Sequence, residues 1–164
     1  MKLVPFLFII LLSCNTGQKD PEQPVQDKLD TTEVNVDLSS MLGTTECYWR
    51  IAGRDTLVAI LLQTGNEITG KLSFDNYRID GSAGIVTGTI ESDIIRLWYT
   101  YQSEGTRNIM EIWFRKHEDL LIRGIGPTDV KGDTSYYTDQ QAIRFTNEQV
   151  LRKTSCDSIP EKYR

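Results

Sequence analysis

Ile68-Thr69-Gly70-Lys71-Leu72-Ser73-Phe74-Asp75 alternates apolar or small residues with polar ones at a period of two. Successive side chains of a strand point to opposite faces, so this pattern marks a strand with one face in a core and one in water. Gly65-Asn66 just ahead of it is a tight hairpin turn. Before that turn lie two more β-favouring runs, Cys47 to Ala52 and Leu57 to Gln63. After it, Val86, Gly88 and Ile90 form one face of a fourth strand, and Ser92-Asp93 turns the chain. Ile95, Leu97, Tyr99 and Tyr101 form one face of a fifth, with Trp98 opposite. Met110, Ile112 and Phe114 form one face of a sixth, opposite Glu111 and Trp113. His117-Glu118-Asp119 is the next turn, Leu120 to Ile125 the seventh strand, and Ala142 to Thr146 the eighth. Asn147 to Lys153 fits either a short helix or a last strand.

No stretch from 47 to 146 carries a helical stripe, and the connections are mostly short, which pairs neighbours antiparallel. Strands in a row leave two exposed edges unless the sheet curls and closes. Gly70, Gly88, Gly124 and Gly126 fall inside or at the ends of these strands and suit the bends of a small barrel. The expectation is all-β: residues 44–164 form a single antiparallel up-and-down β-barrel of about eight strands, with a two-sheet β-sandwich as the alternative.

The chain has 164 residues, with 18 Lys and Arg against 23 Asp and Glu and a net charge of -5. That balance argues against a nucleic-acid binder, which needs a basic face to neutralise phosphates. One His and three Cys do not suggest a metal site, and no cofactor is expected.

Met1-Lys2 precedes the apolar run Leu3 to Leu12, which spans only about 15 Å as a helix against a hydrocarbon core of about 30 Å. It suits the apolar region of a signal peptide. Leu11-Leu12-Ser13-Cys14 resembles the lipobox of bacterial lipoproteins. The resemblance implies a signal peptide at 1–13, cleavage before Cys14 and lipidation of Cys14. By the same resemblance Asn15, where Asp tends to retain such proteins at the inner membrane, implies the outer membrane of a bacterial envelope. Residues 14–43 then form a flexible tether, in which Asp20, Glu22, Asp27, Asp30, Glu33 and Asp37 outnumber Lys19 and Lys28. Several acyl chains, each contributing about 0.8 kcal/mol per buried methylene, hold a protein on a membrane stably.

With Cys14 used by lipid, Cys47 and Cys156 remain, one at each end of the domain. In an oxidising compartment such a pair tends to be bridged, and the first and last elements of a closed barrel lie side by side. The bridge closes about 110 residues, worth roughly 4–5 kcal/mol in the chain-entropy model. Two separate buried thiols are the alternative.

Chemistry is sparse. His117 sits in a polar turn without a cleft or a positioned partner, and Gly-x-Ser-x-Gly, His-Glu-x-x-His and phosphate-loop motifs are absent from the sequence. No catalytic residue is assigned and the chain is not expected to be an enzyme. The most suggestive group is Tyr99-Thr100-Tyr101-Gln102-Ser103-Glu104-Gly105 with Arg107 and Glu111. Tyr99, Tyr101, Glu104, Arg107 and Glu111 are candidate ligand-binding residues, because tyrosines offer apolar area with a polar tip and the carboxylates and guanidinium offer charge. The alternative is a core tyrosine pair followed by a plain turn. Asp129 to Asp139 reads as a polar, mobile or partner-binding loop, its acids too irregular for a calcium site.

Asp55-Thr56, Ile68-Thr69-Gly70-Lys71-Leu72, Gly84-x-x-x-Gly88, Leu97 to Gly105 and Cys156 carry a wider likeness. On these residues the chain resembles a family of small bacterial envelope lipoproteins with a lipobox and a calycin-like β-meander domain. The resemblance transfers no catalytic residue, and calycin-type barrels imply a small apolar ligand. The expected function is a lipid-anchored, non-enzymatic envelope protein whose barrel binds a small ligand or another envelope protein. The alternative is a protein-binding module, such as an inhibitor of a cell-wall-degrading enzyme. A cavity open at one end favours the first; a filled core with a projecting loop favours the second.

Overall fold

The computed structural model describes residues 42–164 apart from Ile79 and Glu104. The expected signal peptide at 1–13, the expected lipidation at Cys14 and most of the expected tether at 14–43 therefore lie outside the described residues. Ten strands follow one another: β1 (Thr44–Ala52), β2 (Asp55–Thr64), β3 (Glu67–Asp75), β4 (Ser82–Glu91), β5 (Ile94–Ser103), β6 (Thr106–His117), β7 (Leu120–Ile125), β8 (Thr128–Lys131), β9 (Thr134–Tyr137) and β10 (Arg144–Thr154).

Strands β1 to β7 pair antiparallel with their sequence neighbours, and β10 lies between β7 and β1. Together these eight strands close an antiparallel barrel, as the alternating pattern and the need to remove sheet edges require. Two-residue turns link most of the hairpins. Gly53, Gly65 and Gly132 take φ of 65°, 58° and 65°, and Ser92 and Glu118 take 56° and 52° at the corresponding turn positions. Positive φ at this position matches the turn to the right-handed twist of the strands. Inside the wall, a Cβ on Gly88 would stand 1.9 Å from the Arg96 carbonyl oxygen, and one on Gly70 would stand 2.0 Å from that of Ile60. Neighbouring backbone thus approaches where only glycine leaves room, which lets the strands coil into a narrow barrel.

The inward face is apolar and packed. Tyr48, Leu72, Ile112, Phe114, Leu121 and Leu151 are fully buried in one continuous cluster to which all eight barrel strands contribute. Each such side chain contributes roughly 1.5–3 kcal/mol relative to exposure. The cluster fills the body of the barrel.

Three features depart from the sequence pattern. The eighth barrel strand is Arg144–Thr154, not Ala142 to Thr146, and it absorbs the segment left open between helix and strand. Ala142 itself belongs to a short 3-10 turn capped by the Asp139 side chain, which accepts from the Gln141 amide. The strand is irregular between Phe145 and Val150, and this break hid its full length. Second, the polar loop from Asp129 to Asp139 contains the hairpin β8–β9. Pairing of β7 with β6 covers only Phe114 to His117, so the first half of β6 has an open edge on that side. Strand β9 docks there in parallel through Ile109 and Met110, and the Ile109 amide donates to the Asp133 carbonyl at 2.9 Å. This satisfies part of an otherwise exposed edge.

Third, the C-terminus folds back along the outer wall. Cys47 and Cys156 form the disulfide expected from the sequence, with Cα atoms 5.2 Å apart, next to the point where β1 meets β10. Ile159 is buried there with Cys47 and Val58, and the Tyr163 hydroxyl donates to Asp75 at 2.6 Å.

Candidate functional site

The two ends of the barrel differ. At one end Glu46 on β1 reaches across the seam between first and last strands. It accepts from the Tyr48 hydroxyl at 2.9 Å, from Lys153 at 2.8 Å and from Lys116. Burial pushes the pKa of the Glu46 carboxyl up, but the two ammonium groups and the hydroxyl outweigh it and bring it down to about 2. The Tyr48 hydroxyl is pushed up by burial and by the carboxylate beside it. Glu46, Lys116, Lys153 and Tyr48 thus satisfy one another at this end.

The opposite end is lined by Phe74, Tyr99, Tyr101, Met110, Arg123 and Gln149. Tyr101 stacks on Tyr99 with ring centroids 4.8 Å apart and planes 15° apart, and Phe74 tilts against Tyr99 at 5.6 Å. Tyr99 is buried and donates its hydroxyl to Ser82 Oγ at 3.1 Å, and burial pushes its pKa up. Phe74, Tyr101 and Met110 are only half-buried and pack on the core from its edge. They form an apolar floor that is not fully covered.

Arg123 stands over this floor. It lies two residues beyond Leu121 on β7, so strand alternation turns it inward with the core. One terminal nitrogen donates to Gln149 Oε1 at 2.8 Å and the other approaches Met110 Sδ at 3.9 Å. Its Cζ lies 5.3 Å from the Phe74 ring centroid. Its Nε is enclosed and has no hydrogen-bond partner. Among the described residues no carboxylate forms an ion pair with it. Burial works against its charge, yet a guanidinium does not deprotonate in proteins.

The candidates from the sequence divide. Tyr99 and Tyr101 share the inward face and meet at this end, as their alternation indicates. Arg107 lies opposite Gln102 on the same rim, and with Tyr101 it borders a depression of about 310 Å³ beside Gly84 and Ile85. Glu104 lies outside the described residues. Glu111 faces outward, where it accepts from Trp113 Nε1 at 2.7 Å and from the Tyr137 amide at 2.8 Å. It anchors the β8–β9 hairpin to the barrel wall and is not gathered with the tyrosines. His117 is exposed at the end of β6. Among the described residues no group of three or more His, Cys, Asp or Glu side chains is placed to hold a metal ion.

Phe74, Met110, Arg123 and Gln149 were not singled out from the sequence. For Arg123 the signal was present: a charged residue at an inward position of Leu121-Ile122-Arg123-Gly124-Ile125.

No family model, no curated protein and no solved structure matches this chain.

Proposed function

We propose that this chain is a lipid-anchored bacterial envelope protein whose barrel binds a small organic molecule at one rim and performs no catalysis. The lipobox-like Leu11-Leu12-Ser13-Cys14 supports the anchor, and Asn15 supports the outer membrane. The observation that carries the binding reading is the contrast between the two ends. At the Glu46 end the inward charged groups Glu46, Lys116 and Lys153 satisfy one another. The Arg123 end keeps half-buried aromatic surface and a cation with an unpartnered nitrogen. A packed barrel body leaves a ligand no deep lumen, so binding is a rim event on Phe74, Tyr101 and Met110.

Native mass spectrometry of the protein extracted from its own envelope tests this. A small-molecule adduct on the wild-type chain that is lost in Tyr101→Ala supports rim binding; an adduct retained in full by that variant contradicts it. Radiolabelled palmitate entering the wild-type chain and not Cys14→Ser supports the anchor, and equal labelling refutes it.

A second reading, a protein-binding module such as an inhibitor of a cell-wall-degrading enzyme, is favoured by one observation. The β8 strand is exposed along its whole length, and Val130 near the hairpin tip is 67% exposed on a barrel whose body is filled.

A further inference from the structure

From the chemistry of the Arg123 end we infer that its ligand is an organic anion, a carboxylate carried on an aromatic or branched apolar body, with the acid group received by the Arg123 guanidinium. This inference rests on rim binding and adds the charge and class of the ligand.

The Arg123 guanidinium is held largely out of water. A cation taken out of water is expensive unless paired, and the usual partner is a carboxylate in bidentate contact. Arg123 has instead a neutral amide oxygen, a thioether sulfur and the face of Phe74. The amide oxygen and the nearby Tyr137 hydroxyl are neutral acceptors, the sulfur is a weak one, and Nε has none, so the positive charge has no countercharge among the described residues. Asp55, at the start of β2 on the same side of the barrel, already accepts from the Tyr77 amide at 2.7 Å and is exposed. By strand alternation Arg50, two residues beyond the buried Tyr48, also belongs to the inward face at this end. Two inward cations at one rim attract an anion. The body of the ligand follows from the floor. The stacked tyrosines and Phe74 present ring faces, and Met110 adapts its shape to what lies on it. Such a surface suits a flat or branched apolar group, and a simple inorganic anion would leave it bare.

The test compares a charged probe with its neutral isostere. The full chain is dialysed to equilibrium against 2-naphthylacetate and, separately, 2-naphthylacetamide. The expected result is at least tenfold tighter binding of the acid, with the preference falling as salt rises. In Arg123→Gln the two probes should bind within about twofold of each other, and Arg123→Lys should retain a reduced preference. The wild-type comparison stands even where a variant fails to fold. Equal binding of acid and amide by the wild-type chain overturns the anion inference and leaves rim binding standing. Binding of neither probe overturns both. A preference for the acid that appears only in Glu104→Gln would mean that Glu104 is the internal partner of Arg123, and this also overturns the inference.

Discussion

Glu46 on the first strand and Lys153 on the last meet at 2.8 Å, 107 residues apart in sequence, across the seam that closes the barrel. The β1–β10 seam is held by the register Cys47 to Thr154, Tyr48 to Lys153 and Trp49 to Arg152. Side chains therefore reinforce the closure, Glu46 on one side of the wall and the disulfide on the other.

The pH dependence of stability follows from this carboxylate. Its pKa is about 2 in the folded protein against an ordinary 4.5. A depressed carboxyl stabilises fully above the unfolded value, and the contribution falls as pH drops from about 4.5 and is gone below about 2. Glu46→Gln should cost about 1–2 kcal/mol near neutral pH. Urea titrations across that range should show a shallower acid slope in the variant. Some slope should remain, because Lys162 and Tyr163 also lower the Asp75 carboxyl.

Reduction of the disulfide, or Cys156→Ser, should lower stability by about 4–5 kcal/mol, since the bridge spans 109 positions. Thermal melts with and without reductant measure it. The same change should release Ile159 and Tyr163 from the outer wall, seen as faster amide exchange after residue 155.

Glu111→Ala should loosen the β8–β9 hairpin, because its carboxylate holds the Tyr137 amide and Trp113 Nε1. Hydrogen exchange should accelerate across residues 128–137 and stay slow in β2 to β5. Global stability should fall by about 1–2 kcal/mol.

Arg123→Met should stabilise the ligand-free protein by about 1 kcal/mol or more, because it removes a buried cation without a countercharge. Urea denaturation measures this. A group kept for structure alone would show a loss on the same substitution, whereas a binding group trades stability for function.

Much of the fold is legible in the sequence where a strand has one buried and one wet face. Ile68 to Asp75 and Ile95 to Tyr101 declare themselves by alternation, and Gly65-Asn66 marks the turn between two of the strands. Legibility fails where that contrast is lost. Thr128–Lys131 is exposed throughout, so no periodicity reveals it as a strand. In β10 the register shifts between Phe145, which packs outside with Trp113 and Tyr137, and Leu151, which is inside, so a single alternating phase cannot cover both. The candidate site divides for the same reason. Tyr99 and Tyr101 are neighbours on one strand face, while Phe74 and Arg123 reach the same rim from strands that only closure brings near. Glu111 is close to the tyrosines in sequence, and the alternation of Met110, Ile112 and Phe114 turns it to the outer wall.

The central claim, that the Arg123 rim is where this protein binds, is tested most directly by following side-chain methyl resonances of the full chain during titration with 2-naphthylacetate. The expected result is a saturable shift of the Met110 methyl with little movement of Ile60 and Leu62, which border an apolar groove of about 360 Å³ on the outer wall. Shifts confined to Ile60 and Leu62, or to Val130 on the hairpin, with Met110 unmoved, would contradict it.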